Sequence, residues 1–345
     1  MLDVNDWLGL DKEEVFHYLR WNSYLSARHR LFYVATPKVA CTTLKWWFAE
    51  LEGHSKNLFA GAASNESSPE LVIHDALQRI APEVTGLTQD RLIEALQADE
   101  YFRFSVVRNP YRRIFSAWQS KLLLREPLQI HPYVGCDFFH LPVDNSNDIA
   151  QAFEAFLEHL VTREAPDCWD MHWTPQATLL RPDLISYTQL AQIENLQALR
   201  AALSRHLGPE IADPFAVRSS NESLVPYLPE FITSRSAELI RSLYAQDFEL
   251  FGYDQRKPEA KEKFSTEQLS VALKAIELIR GRHSRLAEIR VELDGKAASL
   301  NQATLEIRDL QQQLNQILHS RSWRATAPLR KALEAIRGIR SVCRF

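Results

Sequence analysis

Glycine, cysteine and methionine are scarce in this chain, and the shortages of cysteine and glycine narrow the possible functions. The 345 residues include ten glycines, four cysteines and two methionines. The cysteines have neither metal-ligand spacing nor the density of a disulfide framework, so we expect no metal centre and no disulfide scaffold. No apolar run approaches ~18 residues, so no membrane-spanning helix is expected. The net charge of −4 gives no overall sign of nucleic-acid binding.

The N-terminal residues also lack the features of a secretory leader. Five acidic side chains occur in residues 1–20, whereas a signal peptide has a basic start and an apolar centre. This predicts an intracellular enzyme. The hydrophobic fraction of 46% supports a sizeable core, so one large domain with an appendage is expected.

One segment, residues 31–48, has the pattern of a buried strand, a tight turn and a helix. Lys38 follows Pro37 in the turn, and Thr42 and Thr43 begin the helix. A helix N-terminus offers unpaired N–H groups and the positive end of the helix dipole, so it attracts anions. The segment contains no glycine, which disfavours the Walker pattern of ordinary ATP and GTP sites.

A second segment, residues 101–118, repeats this order. Arg108 ends the strand, Pro110 suits the first turn of a helix, and Ser116 follows two turns later. The carboxyl ends of parallel strands are where open α/β sheets bind ligands. The two segments together predict a two-pronged site for a ligand with phosphates at both ends.

Four stretches of the sequence carry a family resemblance. PKVACTTLK at 37–45 and VVRNPYRRIFSAW at 106–118 are similar to the 5′-phosphosulfate and 3′-phosphate elements of sulfotransferases that use 3′-phosphoadenosine-5′-phosphosulfate (PAPS). HWTPQ at 172–176 and LYAQDFELFGYD at 243–254 also agree. The chain resembles the carbohydrate sulfotransferases that include the chondroitin and dermatan 4-O enzymes, over residues 28–254.

The resemblance implies roles for particular residues. The loop around the 5′-phosphosulfate would consist of Pro37, Lys38, Ala40, Cys41, Thr42 and Thr43. Lys38 would neutralise the charge that grows on the leaving phosphate oxygen, Arg108 and Ser116 would hold the 3′-phosphate, and no metal would take part.

The general base is the least determined part of the site. Sulfuryl transfer to a hydroxyl requires removal of its proton, for which histidine is the usual candidate. We expect His74 to be the base, because some relatives use a histidine between the two phosphate motifs. His172, in the HWTPQ motif, is expected to line the site or to be structural, and His54 is a third candidate.

The acceptor and the location are expectations from the same resemblance. A glycan hydroxyl is expected as acceptor, with a lipid-linked sugar or a small molecule as alternatives. Vertebrate relatives are anchored Golgi membrane proteins, and the lack of an anchor here predicts a bacterial-type cytoplasmic enzyme, at most peripheral to the inner face of the membrane. A P-loop-like nucleotide phosphotransferase and an inactive scaffold remain as other functions.

The fold is expected to be α/β, with a P-loop-like parallel sheet flanked by helices and then a C-terminal coiled-coil helix. The sulfotransferase domain would cover residues 1–256, since apolar strands alternate there with helical patterns. The predicted strands are 31–36, 102–107 and 183–187. The predicted helices are 42–52, 89–99, 110–125, 148–162, 194–207 and 232–246.

The remaining residues have a different character. Residues 257–320 have apolar side chains at every seventh position: Ile279, Leu286, Leu293, Leu300, Ile307 and Leu314. This predicts a coiled coil and a homo-oligomer, with a helix folded back on its own domain as the alternative. Residues 321–345 form a basic amphipathic tail, which suits an anionic membrane surface or, alternatively, a partner subunit.

Overall fold

The computed structural model describes residues 12–127, 130–163, 169–216 and 223–333. The chain divides into two compact units, with the boundary between Ser284 and Arg285. The first unit contains the sheet and therefore the predicted phosphate-binding turns.

The sheet has four strands in the order β1 (Ser23–Ser26), β2 (Leu31–Val34), β3 (Phe102–Val107) and β4 (Gln189–Gln192). Strands β2, β3 and β4 run parallel, and β1 pairs antiparallel with β2 at the edge. The carboxyl ends of β2 and β3 therefore lie side by side at one edge of the sheet. The expected mixed α/β fold with a parallel sheet is confirmed.

The third predicted strand, 183–187, was wrong. The N–H groups of Leu184 and Ile185 both donate to the carbonyl of Arg181, whose φ of 45° is left-handed. Ile185 is buried in the core, with Leu184 and Tyr187 partly buried beside it, and β4 follows this turn. The sequence analysis also missed β1, whose four residues are buried but include only two large apolar side chains, Tyr24 and Leu25.

The helices of the first unit flank the sheet and are joined by short 3₁₀ turns. They are α1 Lys12–Asn22, α2 Cys41–Leu51, α3 Ile73–Ile80, α4 Gln89–Gln97, α5 Pro110–Trp118, α6 Ser146–Arg163, α7 Gln176–Leu180, α8 Gln197–Leu207, α9 Ser234–Leu243 and α10 Ala245–Leu250. Two predicted helices are interrupted. A π-helical turn, Gln119–Leu123, follows α5, and Tyr244 separates α9 from α10.

The core lies on both faces of the sheet. Tyr33 stacks between Phe48 and Phe104 on one face, whereas Phe32 and Val34 pack into a second cluster. Successive strand residues point to opposite faces, so β2 is buried on both sides. Its turn to α2 is thus held between two packed layers.

A 54-residue helix, α11 (Thr266–His319), follows the sheet-containing region. Ala272 and Ile276 are buried within the first unit, which therefore reaches beyond the predicted boundary at residue 256. The second unit begins within α11 and includes a short helix, α12 (Arg321–Ala325). Many of its apolar residues are exposed, among them the heptad residues Leu286, Leu293, Leu300, Ile307, Leu310, Leu314 and Ile317, and also Val291 and Leu305. Residues 334–345 of the predicted basic tail lie outside the described residues.

Candidate active site

The turn after β2 has an unusual backbone. Lys38 and Ala40 have φ values of 69° and 54°, a left-handed conformation that favours glycine and costs other residues about 1–2 kcal/mol. Ala40 is the N-cap of α2, and no side chain caps that end of the helix. Unusual backbone of this kind clusters at ligand sites, and an uncapped helix N-terminus is suited to an anion.

The Lys38 side chain lies in this turn and contacts the π-helical turn. Its ammonium donates to Ser120 Oγ at 2.9 Å. Burial, together with the nearby cations of Lys121 and Arg108, lowers the pKa of Lys38 to about 8. A buried lysine grouped with like charges is poised to receive an anionic ligand, whose charge would raise that pKa again.

Arg108 joins the second turn to the first. Its guanidinium Nη1 donates to the carbonyl oxygen of Lys38 at 3.1 Å. Burial lowers the pKa of Arg108 to about 10, so the group stays charged at neutral pH. Ser116 is buried on α5, and its hydroxyl has no hydrogen-bond partner in the part of the chain that the structure describes. The two turns predicted from sequence are therefore neighbours.

The two later family segments fix the backbone of Arg108. Gln176 accepts from the Arg108 N–H at 2.8 Å and donates to its carbonyl at 2.9 Å. Asp247, which is buried, accepts from the backbone N–H groups of Gln176 and Ala177 at 2.9 and 2.7 Å. The HWTPQ motif thus holds the second turn directly, through Gln176, and the DFELFGYD motif holds it indirectly, through Asp247.

Arg113 is a residue of the site that sequence reasoning left without a role. Its guanidinium is buried and donates to the carbonyls of Pro37 (3.2 Å), Thr174 (2.8 Å) and Met171 (3.0 Å). Its side chain therefore holds the turn that contains Lys38 (the lysine turn) against the segment that contains His172. Its position five residues after Arg108 was a signal, but only the fold shows which carbonyls it joins.

His74 lies at the start of α3, beside the N-terminus of α2. It follows a short 3₁₀ turn, Pro69–Leu71. Its Nε2 is 3.0 Å from Thr42 Oγ1, and its Nδ1 is 2.8 Å from Lys45 Nζ. Burial, and then Lys45, lower the pKa of His74 well below 6.5, so the ring is neutral at pH 7.

His172 is held by Asp170, two residues before it in the chain. Its Nδ1 is 2.5 Å from Asp170 Oδ1, which also accepts from the backbone N–H of His172 at 2.8 Å. Burial lowers the pKa of His172 to about 4, although Asp170 opposes this effect. The same carboxylate therefore fixes both the backbone and the ring of His172.

The π-helical turn after α5 adds charges that were not predicted. Lys121 Nζ lies 3.5 Å from Glu126 Oε2, and neither carboxylate oxygen of the buried Glu126 has a hydrogen-bond partner among the described residues. Lys121 also acts on the pKa of His74, His172 and Lys38. Such π-turns often occur at functional sites, and sequence patterns do not reveal them.

The structure leaves one predicted candidate apart from this group. His54 follows the C-terminal end of α2, about 16 Å along the helix from its N-terminus, and bonds to Glu83 at 2.5 Å. Thr43 lies in the first turn of α2 as predicted, and Cys41 begins the helix one residue before its predicted start at 42. Within the described ranges no three His, Cys, Asp or Glu side chains are grouped so as to hold a metal ion.

Comparisons with known proteins show the family of this chain. The sequence model described as "Sulfotransferase family" matches residues 21–254. Carbohydrate sulfotransferase 10 of Danio rerio is 25% identical over 248 residues, which cover 67% of this chain and 66% of that protein. Its Homo sapiens counterpart is 26% identical over 255 residues, 68% of this chain and 67% of that protein.

A second type of carbohydrate sulfotransferase also matches this chain. Carbohydrate sulfotransferase 11 of Rattus norvegicus is 25% identical over 243 residues, covering 65% of each protein. The chain thus spans about two thirds of the length of the curated relatives it matches. No solved structure gives a significant match.

These relatives overturn the predicted location. The cytoplasmic assignment was wrong, because carbohydrate sulfotransferase 10 relatives are Golgi membrane-anchored enzymes that act on glycans. The assignment rested on the lack of an anchor and a leader in the sequence, and such an absence does not establish a location. Among the described residues, no helix is both long and apolar enough to cross a membrane.

Proposed function

The chain belongs to the sulfotransferase family, and we propose that it is a PAPS-dependent carbohydrate sulfotransferase. The observation that carries this proposal is the meeting of the two turns, where Arg108 donates to the carbonyl of Lys38 at 3.1 Å. A ligand with two separated phosphate groups can engage both turns at once. PAPS has this charge distribution, whereas ADP and ATP lack the 3′-phosphate.

The first turn would hold the 5′-phosphosulfate. The uncapped N-terminus of α2 supplies N–H groups around Thr42 and Thr43, and Lys38 supplies a mobile charge. Arg108 and Ser116 would hold the 3′-phosphate through a guanidinium and a hydroxyl. The predicted donor-binding side chains with a charge or a hydroxyl thus divide between two neighbouring anion sites.

The reaction is an in-line transfer. The acceptor oxygen forms a bond to sulfur while the bond from sulfur to the 5′-phosphate oxygen breaks. Lys38 neutralises the charge that develops on the departing phosphate oxygen, which is transition-state stabilisation of the electrostatic kind. A histidine, either His74 or His172, takes the proton of the acceptor hydroxyl.

The acceptor is proposed to be a glycan hydroxyl. The relatives are named carbohydrate sulfotransferases, and the ion pair of Lys121 and Glu126 lies near Lys38. A carboxylate accepts a hydrogen bond from a sugar hydroxyl, and an ammonium group donates one to it. A lipid-linked sugar would present the same hydroxyls.

A transfer assay tests the activity directly. The full chain is incubated with ³⁵S-labelled PAPS and a panel of desulfated glycans and lipid-linked sugars, and label in the acceptor is counted. We expect transfer to at least one sugar. A parallel reaction with γ-³²P-ATP tests the phosphotransferase alternative, and label from ATP without label from PAPS would contradict the proposal.

We also propose that the second unit pairs with a second copy of the chain. Leu293, Leu300 and Ile307 recur every seventh residue and have exposed fractions of 58%, 68% and 57%. A regular apolar seam on a long helix is suited to another helix with the same repeat. The seam has the seven-residue spacing of a coiled coil rather than the broader face of a helix packed on a globular surface.

Light scattering tests this pairing on the full chain. We expect the wild-type protein to be a dimer or a higher oligomer and Leu300→Lys to weaken it. Gln302→Lys, which adds the same charge off the seam, is the matched control. A monomeric wild type, or equal effects of the two substitutions, would contradict the pairing.

A further inference from the structure

The two histidines of the site differ in how their ring nitrogens are used. Lys45 Nζ contacts Nδ1 of His74 at 2.8 Å. An ammonium can only donate, so Nδ1 of His74 is the acceptor and its ring proton is on Nε2. That Nε2–H then donates to Thr42 Oγ1 at 3.0 Å. Both nitrogens of His74 are therefore occupied within the protein.

Lys45 is held so that it keeps this bond. Burial opposes its charge, but Tyr24 raises the pKa of Lys45, and the ammonium lies over the Tyr24 ring at 5.5 Å. To accept a proton, His74 would have to lose its bond to Lys45. It would then form an imidazolium among Lys45, Lys121 and Lys38, all of which act on its pKa. His74 is poorly placed to be a base.

His172 has the opposite arrangement. Asp170 can only accept when ionised, and its pKa is lowered by the His172 interactions although burial opposes this. His172 therefore donates its Nδ1–H to Asp170 at 2.5 Å, and the lone pair is on Nε2. That Nε2 has no hydrogen-bond partner among the described residues. A carboxylate that orients a histidine and stabilises its imidazolium is the arrangement of a general base.

The fold also directs His172 to the reacting end of the donor. Arg113 bonds the carbonyls of both Pro37 and Met171, so the segment beside His172 is tied to the lysine turn. Lys38 and Lys121 are close enough to lower the pKa of His172. We therefore place two groups in one site: the departing 5′-phosphate oxygen, whose charge Lys38 neutralises, and the lone pair on Nε2 of His172.

We propose that Nε2 of His172 accepts the proton of the acceptor hydroxyl, with Asp170 as its positioning residue, and that His74 instead positions Thr42 for the donor's 5′-phosphate. This inference rests on the proposed sulfuryl transfer. As the acceptor oxygen bonds to sulfur, its proton moves to Nε2, and the imidazolium is neutralised by Asp170. The bond electrons from sulfur leave with the 5′-phosphate oxygen beside Lys38.

The pH dependence follows from the charges that face His172, namely Asp170, Lys121 and Lys38. A base must be neutral, so activity falls as the pH drops through its pKa. In the free enzyme that pKa is about 4, and the anionic donor, bound among the lysines, raises it. The acid limb of kcat should therefore lie at higher pH than that of kcat/KM for the donor.

The first test does not need activity. NMR of the full chain with ¹⁵N-labelled histidine distinguishes the ring tautomers, and His74→Gln and His172→Gln assign the signals. We expect His172 to carry its proton on Nδ1 and His74 on Nε2. The opposite tautomer at either ring overturns the assignment, whatever the enzyme transfers. Failure of sulfuryl transfer with these tautomers intact would count against the proposed function alone.

The second test separates the two roles kinetically. His172→Gln should lower kcat by ~10²–10⁴-fold, remove the acid limb and leave the affinity for 3′-phosphoadenosine-5′-phosphate (PAP) little changed. Asp170→Asn should reduce kcat less than His172→Gln does, and it should shift the pH of the acid limb. His74→Gln should mainly raise the KM for PAPS, and His319→Gln, an exposed histidine on α11, is the control. Loss of kcat in His74→Gln with PAP affinity retained, together with an active His172→Gln, would contradict the proposal.

Discussion

The turns after β2 and β3 lie side by side, yet they are built to hold anions by different means. After β2, the helix N-terminus has no side-chain cap, so its N–H groups are available to a ligand. After β3, Asn109 Oδ1 already accepts from the N–H of Tyr111 at 3.1 Å, and Pro110 has no N–H to offer. The first turn can bind through its backbone, whereas the second must use side chains.

This difference separates the roles of the two cations. The backbone N–H groups of the first turn can hold the 5′-phosphate without Lys38. The main role of Lys38 is therefore to stabilise the negative charge that grows on the departing oxygen during transfer. Arg108 and Ser116 are themselves the proposed binding groups for the 3′-phosphate. Mutation of the first turn should therefore affect turnover, and mutation of the second should affect affinity.

The largest effect is expected at Lys38. Lys38→Ala should lower kcat by ~10²–10³-fold, because loss of one group that stabilises transition-state charge has that magnitude. Affinity for PAP should change much less. Steady-state kinetics and calorimetry on the same preparation measure both quantities, with the exposed Lys56→Ala as the charge control. Wild-type kcat in Lys38→Ala would refute its role.

A smaller effect, on binding, is expected at Arg108. A hydrogen bond from a charged group contributes about 1.5–3 kcal/mol, so Arg108→Ala should weaken PAP binding by roughly 10–100-fold and leave ADP binding unchanged. Arg112→Ala is the neighbouring control, since Arg112 bonds the Glu259 carbonyl and stacks on Tyr227. If Arg108→Ala weakened PAP and ADP equally, the second turn would not be reading a 3′-phosphate.

The smallest effect is expected at Ser116. Loss of one neutral donor costs about 0.5–1.5 kcal/mol, so Ser116→Ala should weaken PAP binding by roughly 2–10-fold with kcat nearly unchanged. Calorimetric titration resolves a change of this size. A kcat lowered as far as in Lys38→Ala would show that the two turns do not divide binding and turnover in this way.

The sequence predicted the parts of the site that have local signals. Lys38 in its turn, Thr42 at a helix start and Arg108 at a strand end all follow from patterns within a few residues. The strand at 183–187 was misplaced because its apolar residues pack in a buried turn, and β4 has weaker apolar character than that turn. Local patterns report burial, but they do not show which buried segment is hydrogen-bonded as a strand.

Contacts between distant residues could not be predicted. Arg113 joins Pro37 to the 171–174 segment, and Gln176 and Asp247 brace Arg108. The choice between the two histidines depends in the same way on Lys45 and Asp170 rather than on motif position. Asp170 lies two residues before His172, but a spacing of two gives no sign of a bond to the ring.

The central claim is that the two turns together bind a nucleotide with phosphates at both its 3′ and 5′ ends. Calorimetric titration of the full chain with PAP and with ADP tests this most directly, because only PAP has the 3′-phosphate. We predict that PAP binds more tightly by roughly 10–100-fold, the contribution expected of one charged hydrogen-bonding group. Equal affinity for the two nucleotides, or tighter binding of ADP, would contradict the claim.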